Sequence, residues 1–116
     1  MEKFSELVEK IIKFRNARKW KQFHNPKDLA LSLVLEAGGV LEHFQWKNKE
    51  EVDLYVKTAK KEIGDELADV LYWVLLMSHD LKIDILGALD DKIKKNEDKY
   101  PLSKSKGNAK KYTELK

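Results

Sequence analysis

Four carboxylates, Glu62, Asp65, Glu66 and Asp69, crowd into the stretch Glu62-Ile63-Gly64-Asp65-Glu66-Leu67-Ala68-Asp69. Their i, i+3, i+4, i+7 spacing predicts one shared face of a helix, where like charges repel. Ile63, Leu67, Val70, Leu71, Val74 and Leu75 fall on an adjacent face, so the same helix also serves the core. Converging carboxylates suit a hard divalent cation. The competing reading is a solvated acidic face offset by Lys57, Lys60 and Lys61. A second acid weighs toward metal. Glu36 interrupts the apolar run from Leu29 to Phe44, where a lone carboxylate must be paired, protonated or metal-bound. All-oxygen ligands favour Mg²⁺, with Mn²⁺ second. None of His24, His43 and His79 is preceded by the Glu-x-x spacing of helical di-iron sites. Without a Gly-x-x-x-x-Gly-Lys loop, any phosphates would be held through metal and Lys.

The elements that must position these groups are helical throughout. Phe4, Leu7, Val8, Ile11 and Ile12 recur at three-and-four spacing and predict a first helix from about Glu2 to Arg18, with Arg15, Arg18 and Lys19 at its cationic end. Trp20-Lys21-Gln22-Phe23-His24 follows as an aromatic link. Its rings either cap the core or offer a platform for a flat ligand such as a base. Asn25, Pro26 and Asp28 open a second helix, which is apolar nearly all round. In so short a chain that implies burial against another subunit. Gly38-Gly39, costly inside a helix, permits either close approach or a bend. Asn48 with Glu51 caps a third helix from about Lys49 to Ser78, with a candidate break at Thr58 to Lys61. Asp84 caps a fourth, expected to turn Ile85, Leu86, Leu89 and Ile93 inward and to end near Lys99 before Pro101.

At 116 residues, with 42% apolar and 37% charged, the chain suits one helical domain. The expectation is a body over residues 1–101 and a basic, flexible tail over 102–116. No apolar run is long enough to span a bilayer. The first residues do not look like a signal peptide, and cysteine is absent, which fits the cytoplasm. Residues 92–116 hold nine Lys against three acids, a balance of +6 that leaves the rest at −3. That tail has few interleaved aromatics, which argues against nucleic-acid binding.

Phe14-Arg15, Trp20 to His24, Glu36-Ala37-Gly38, Glu42-His43-Phe44-Gln45-Trp46, Asp65 to Leu71 and Lys111-Tyr112-Thr113-Glu114-Leu115 together resemble the MazG-like nucleotide pyrophosphohydrolases. The likeness is nearest to the dCTP pyrophosphatase branch and covers almost the whole chain. It implies an all-α, four-helix-bundle-like MazG fold in a homotetramer built as a dimer of dimers. It also implies Mg²⁺-dependent hydrolysis of nucleoside triphosphates such as dCTP to the monophosphate and pyrophosphate. By resemblance, Glu36, Glu66 and Asp69 are the catalytic metal ligands, with Glu62 as a further candidate. Trp20, His24, Trp46 and Trp73 become base and sugar contacts; Asn96, Lys111 and Tyr112 become phosphate or lid contacts. The family pattern is Glu-x-x-Glu followed by Glu-x-x-Asp. Gly39 stands where the second Glu belongs, so the alternative is a nucleotide-binding homologue with reduced or lost turnover.

Overall fold

The computed structural model describes residues 2–115, which are helical without strands. In order these are α1 (Glu2–Ala17), α2 (Pro26–Glu42), α3 (Lys49–Thr58), α4 (Lys60–Asp80), α5 (Ile85–Lys99) and the one-turn α6 (Leu102–Ser105). 3-10 turns cover Lys21–Phe23 and Tyr112–Glu114. The chain divides into two compact units, Met1–Lys82 and Ile83–Lys116.

In the first unit, α4 is the central element. Its most extensive packing is with α2, and α1 and α3 lean on it. Leu29 of α2, Leu75 and Leu76 of α4 and Ala59 between α3 and α4 are the buried apolar residues. The helix starts follow local chemistry. Asn25 Oδ1 accepts from the Asp28 N–H while Pro26 takes the first helical position, where its missing N–H costs nothing. Asn48 and Glu51 form a reciprocal capping box on α3. The long helix expected from Lys49 breaks within the candidate stretch Thr58 to Lys61. Ala59 leaves helical geometry at φ −110°, ψ 24°, so α3 ends and α4 begins afresh at Lys60. The four-helix set of this unit is therefore α1 to α4, with the third expected helix counted as two.

Helix α2 continues unbroken through Gly38 and Gly39, so the pair makes no bend. Its apolar girdle is only partly covered. Leu29 is buried, whereas Val34 and Leu35 are 66% and 74% exposed, with Leu31 and Leu41 also open.

In the second unit, Asp84 caps α5 by accepting from the Gly87 N–H. Leu86, Leu89 and Ile93, expected to face inward, are exposed. The stretch after Pro101, expected to lack order of its own, carries α6 and a 3-10 turn. The Pro101 carbonyl accepts from the Lys104 and Ser105 N–H groups to start that turn of helix.

Candidate metal centre and its surroundings

Helices α2 and α4 bring Glu36, Glu66 and Asp69 together. Each offers a carboxylate oxygen, and the three oxygens lie within 4.8 Å of one another. Glu66 and Asp69 are three residues apart on α4 and so share a face, and the α2–α4 packing carries Glu36 to it. Partial burial and then the Asp69 and Glu66 carboxylates raise the Glu36 pKa, and a hydrogen bond with Glu66 adds to this. Three acids so close are unfavourable without a cation, and oxygen donors from two helices fit a hard divalent ion such as Mg²⁺. Glu62 is exposed and stays out of this cluster. Asp65 faces Lys61 at 3.2 Å on the surface.

Gly39 has a specific task here. A Cβ at this position would lie 2.7 Å from Glu66 Oε2 and 3.1 Å from its carboxylate carbon. The bare backbone lets Glu66 lie against α2, which answers the choice between bend and close approach. Glu66 Oε2 is buried and has no hydrogen-bond partner. It borders a pocket of about 230 Å³ lined by Gly39, Glu42, His43, Lys47, Tyr55 and Glu66. Glu42, six residues past Glu36 and so on another face of α2, lines this neighbouring pocket.

One helical turn beyond Asp69, Trp73 begins an aromatic wall. Trp73 meets the His24 ring edge-on at 5.7 Å and Tyr72 at 5.1 Å. Tyr72 meets Phe14 at 6.4 Å, and Phe14 meets Trp20 at 5.6 Å. Trp20, His24 and Trp73 are thus gathered into one surface, with the Arg18 guanidinium 3.7 Å above the Phe14 ring. His24 also edges a cavity of about 340 Å³ shared with Lys21, Leu29 and Asp80. Trp46 stands apart. It is 92% exposed and holds φ 66°, a left-handed conformation that is costly for a bulky residue.

Arg15 was expected only as one of the cations at the end of α1. Instead it is 1% exposed and donates to both Asp80 oxygens, at 2.6 and 2.9 Å. This bidentate pair ties the end of α1 to the end of α4 and backs the link that carries Trp20 and His24. Its hydrogen bonds hold the Asp80 carboxyl below the usual range. Burial, and then the Arg15 charge, lower the His24 pKa, which favours a neutral ring.

The remaining candidates lie in the second unit. Asn96 is exposed on α5, and its carbonyl accepts from the Tyr100 N–H. Lys111 caps the 3-10 turn that begins at Tyr112. The Tyr112 ring meets Tyr100 edge-on at 6.1 Å and lies 4.8 Å from the Lys99 ammonium.

Comparison with known proteins follows the same lines. The family model described as MazG-like matches residues 31–115, which include the three carboxylates. The dCTP pyrophosphatase 1 proteins of Rattus norvegicus and Homo sapiens are 36% and 34% identical over 104 residues, or 88% of this chain. The chain spans only 61% of those relatives' length. A crystal structure of a pyrophosphatase from Archaeoglobus fulgidus DSM 4304 superposes with a TM-score of 0.80 at 37% identity, covering 84% of this chain and 91% of that one. A helical pair that converges three carboxylates thus coincides with a sequence match over most of the chain, and the protein belongs to the MazG-like family.

Proposed function

We propose that this protein is a Mg²⁺-dependent nucleoside triphosphate pyrophosphohydrolase, converting substrates such as dCTP to the monophosphate and pyrophosphate. The observation that carries the proposal is the meeting of Glu36, Glu66 and Asp69 from two helices. These residues would hold the cation, with Mn²⁺ as its alternative. When bound, it would supply charge neutralisation for a triphosphate and activation of water. The chain's own groups do the rest. Trp73, His24 and Trp20 form a wall one turn along α4 from Asp69, about 6 Å of helix rise, which suits a base beside its phosphates. A neutral His24 can offer both a donor and an acceptor to a base edge. The Arg15–Asp80 pair holds the link that carries these rings. Asn96, Lys111 and Tyr112 are proposed phosphate or lid contacts, with Lys111 supplying positive charge.

The exposed Leu31, Val34, Leu35 and Leu41 support assembly into a homo-oligomer, a dimer of dimers in this reading. The exposed, strained Trp46 fits a role at a neighbouring subunit's pocket. A nucleoside triphosphate substrate is in keeping with work in the cytoplasm. Gly39 favours a second reading, a nucleotide-binding homologue with weak turnover, because three carboxylates converge where the family pattern has four. Product analysis of a nucleoside triphosphate panel with Mg²⁺ tests both. Monophosphate and pyrophosphate in equal amounts support the enzyme. Saturable dCTP binding by titration without product supports the binding protein.

A further inference from the structure

The pocket beside Glu66 contains three groups that the proposed reaction has not used. His43 Nδ1 and the Tyr55 hydroxyl are 2.5 Å apart. The Lys47 ammonium lies 4.4 Å from the centre of the Tyr55 ring. Among the described residues, no carboxylate comes within 4.0 Å of that ammonium. Lys47 is nonetheless partly buried, in the turns that link α2 to α3. In the tautomer that accepts from the Tyr55 hydroxyl at Nδ1, the His43 ring carries its proton on Nε2, a further donor. A cation, a ring nitrogen and a phenol therefore line a space of about 230 Å³ together with the Glu42 and Glu66 carboxylates, Glu66 being the member of the trio that borders it. Gly39 keeps that space open, since it has no side chain to fill it.

We infer that Lys47, His43 and Tyr55 form an oxyanion subsite for the pyrophosphate end of the substrate, beside the carboxylate trio. This rests on the proposed triphosphate chemistry. Cation and N–H donors on one side, with a metal-binding carboxylate on the other, suit phosphoryl oxygens that bridge the two. Lys47 supplies charge, and Tyr55 is a positioning residue that fixes the His43 ring.

The test is calorimetric titration of the full chain at saturating Mg²⁺ with inorganic pyrophosphate and, separately, with dCMP. Lys47→Met should weaken pyrophosphate binding about tenfold, or about 1.4 kcal/mol. Lys47→Arg should retain most of the affinity, and Tyr55→Phe should lose a smaller part of it. Binding of dCMP and of Mg²⁺ alone should stay unchanged in all three. Absence of pyrophosphate binding in the parent, or an unchanged affinity in Lys47→Met, overturns the inference. So does a loss shared equally by dCMP, which would place Lys47 at the α-phosphate. A parent that binds pyrophosphate through Lys47 but hydrolyses no triphosphate sinks the proposed activity and keeps the subsite. A parent that hydrolyses dCTP with no Lys47-dependent pyrophosphate binding sinks the subsite alone.

Discussion

Replacing Gly39 by Glu, beside a Gly39→Ala control, separates the two roles this position can have. Both variants introduce the same Cβ, which meets Glu66 Oε2 at 2.7 Å and must displace it. The atom displaced is the end of a flexible side chain, so the shift itself costs little. Both variants also remove an interior helix glycine, a gain of up to about 1 kcal/mol. They differ in one carboxylate. At the 4.8 Å that bounds the existing three oxygens, each added like-charge pair costs about 1 kcal/mol at the dielectric of water and about 3 kcal/mol at an effective value near 20. Exposed Asp69 belongs at the low end and half-buried Glu36 and Glu66 higher. Without metal, these three pairs should make Gly39→Glu at least about 3 kcal/mol less stable than Gly39→Ala. In a unit this size that is on the order of 10 °C in thermal midpoint. Mg²⁺ should narrow that gap, because it binds the folded state and meets four acids instead of three. Its affinity should tighten about tenfold in the Glu variant, or about 1.4 kcal/mol. Calorimetric titration with Mg²⁺ and thermal scans with and without it provide the readout. Equal midpoints and equal Mg²⁺ responses in the two variants would refute the reasoning, since residue 39 would then not reach the trio. Pyrophosphate binding at saturating Mg²⁺ should weaken in Gly39→Glu, because the new side chain enters the pocket of Lys47.

Asp69→Asn should abolish most Mg²⁺ binding while leaving the metal-free thermal midpoint unchanged or slightly raised, since it removes one of three crowded charges; unchanged metal affinity would reduce Asp69 to a surface charge. Asp80→Asn leaves the buried Arg15 guanidinium without its counter-ion and should cost about 3 kcal/mol, read as a fall in denaturant midpoint. The folded pKa values of His24 and Asp80 are both lowered, so each contributes stability above its unfolded value and loses it as pH falls through its folded value. Urea titrations should show a first loss as pH drops below about 6.5, the unfolded His value, and a steeper one in the acid range below about 4, where Asp titrates; a flat profile down to pH 4 would contradict the His24 assignment. Light scattering should give a mass well above the 13.6 kDa of one chain, and Leu35→Lys should lower it.

What could be read in advance was what the chain states locally. Asn25 with Pro26, Asn48 with Glu51, and Asp84 each announce a helix start through chemistry confined to a few residues. The trio was legible because helical spacing aligns Glu66 with Asp69, and Glu36 is conspicuous in an apolar run. Glu62 shares their face by periodicity but lies a turn nearer the start of α4, away from where Glu36 arrives. The burial of Arg15 was not legible because its partner Asp80 is 65 residues away, and a charged residue at a helix end usually faces water. The His43–Tyr55 pair likewise depends on how α3 meets the end of α2, which no short pattern records. The exposed apolar faces of α2 and α5 show the opposite limit. Periodicity marks a face as apolar without saying what covers it.

The interruption at Ala59 governs more than helix length. In an unbroken helix, Tyr55 and Glu66 would share a face but stand about 16 Å apart along the axis. Folded back at Ala59, the same two residues line one small pocket. Ala59 is also buried, so a bulkier side chain there has little room. A single small residue, with no chemistry of its own, therefore sets the distance between the phenol and the carboxylate. Mutational tolerance at 59 should follow ligand affinity rather than helix propensity, and a better helix former that straightened the joint would lengthen the helix while dismantling the pocket.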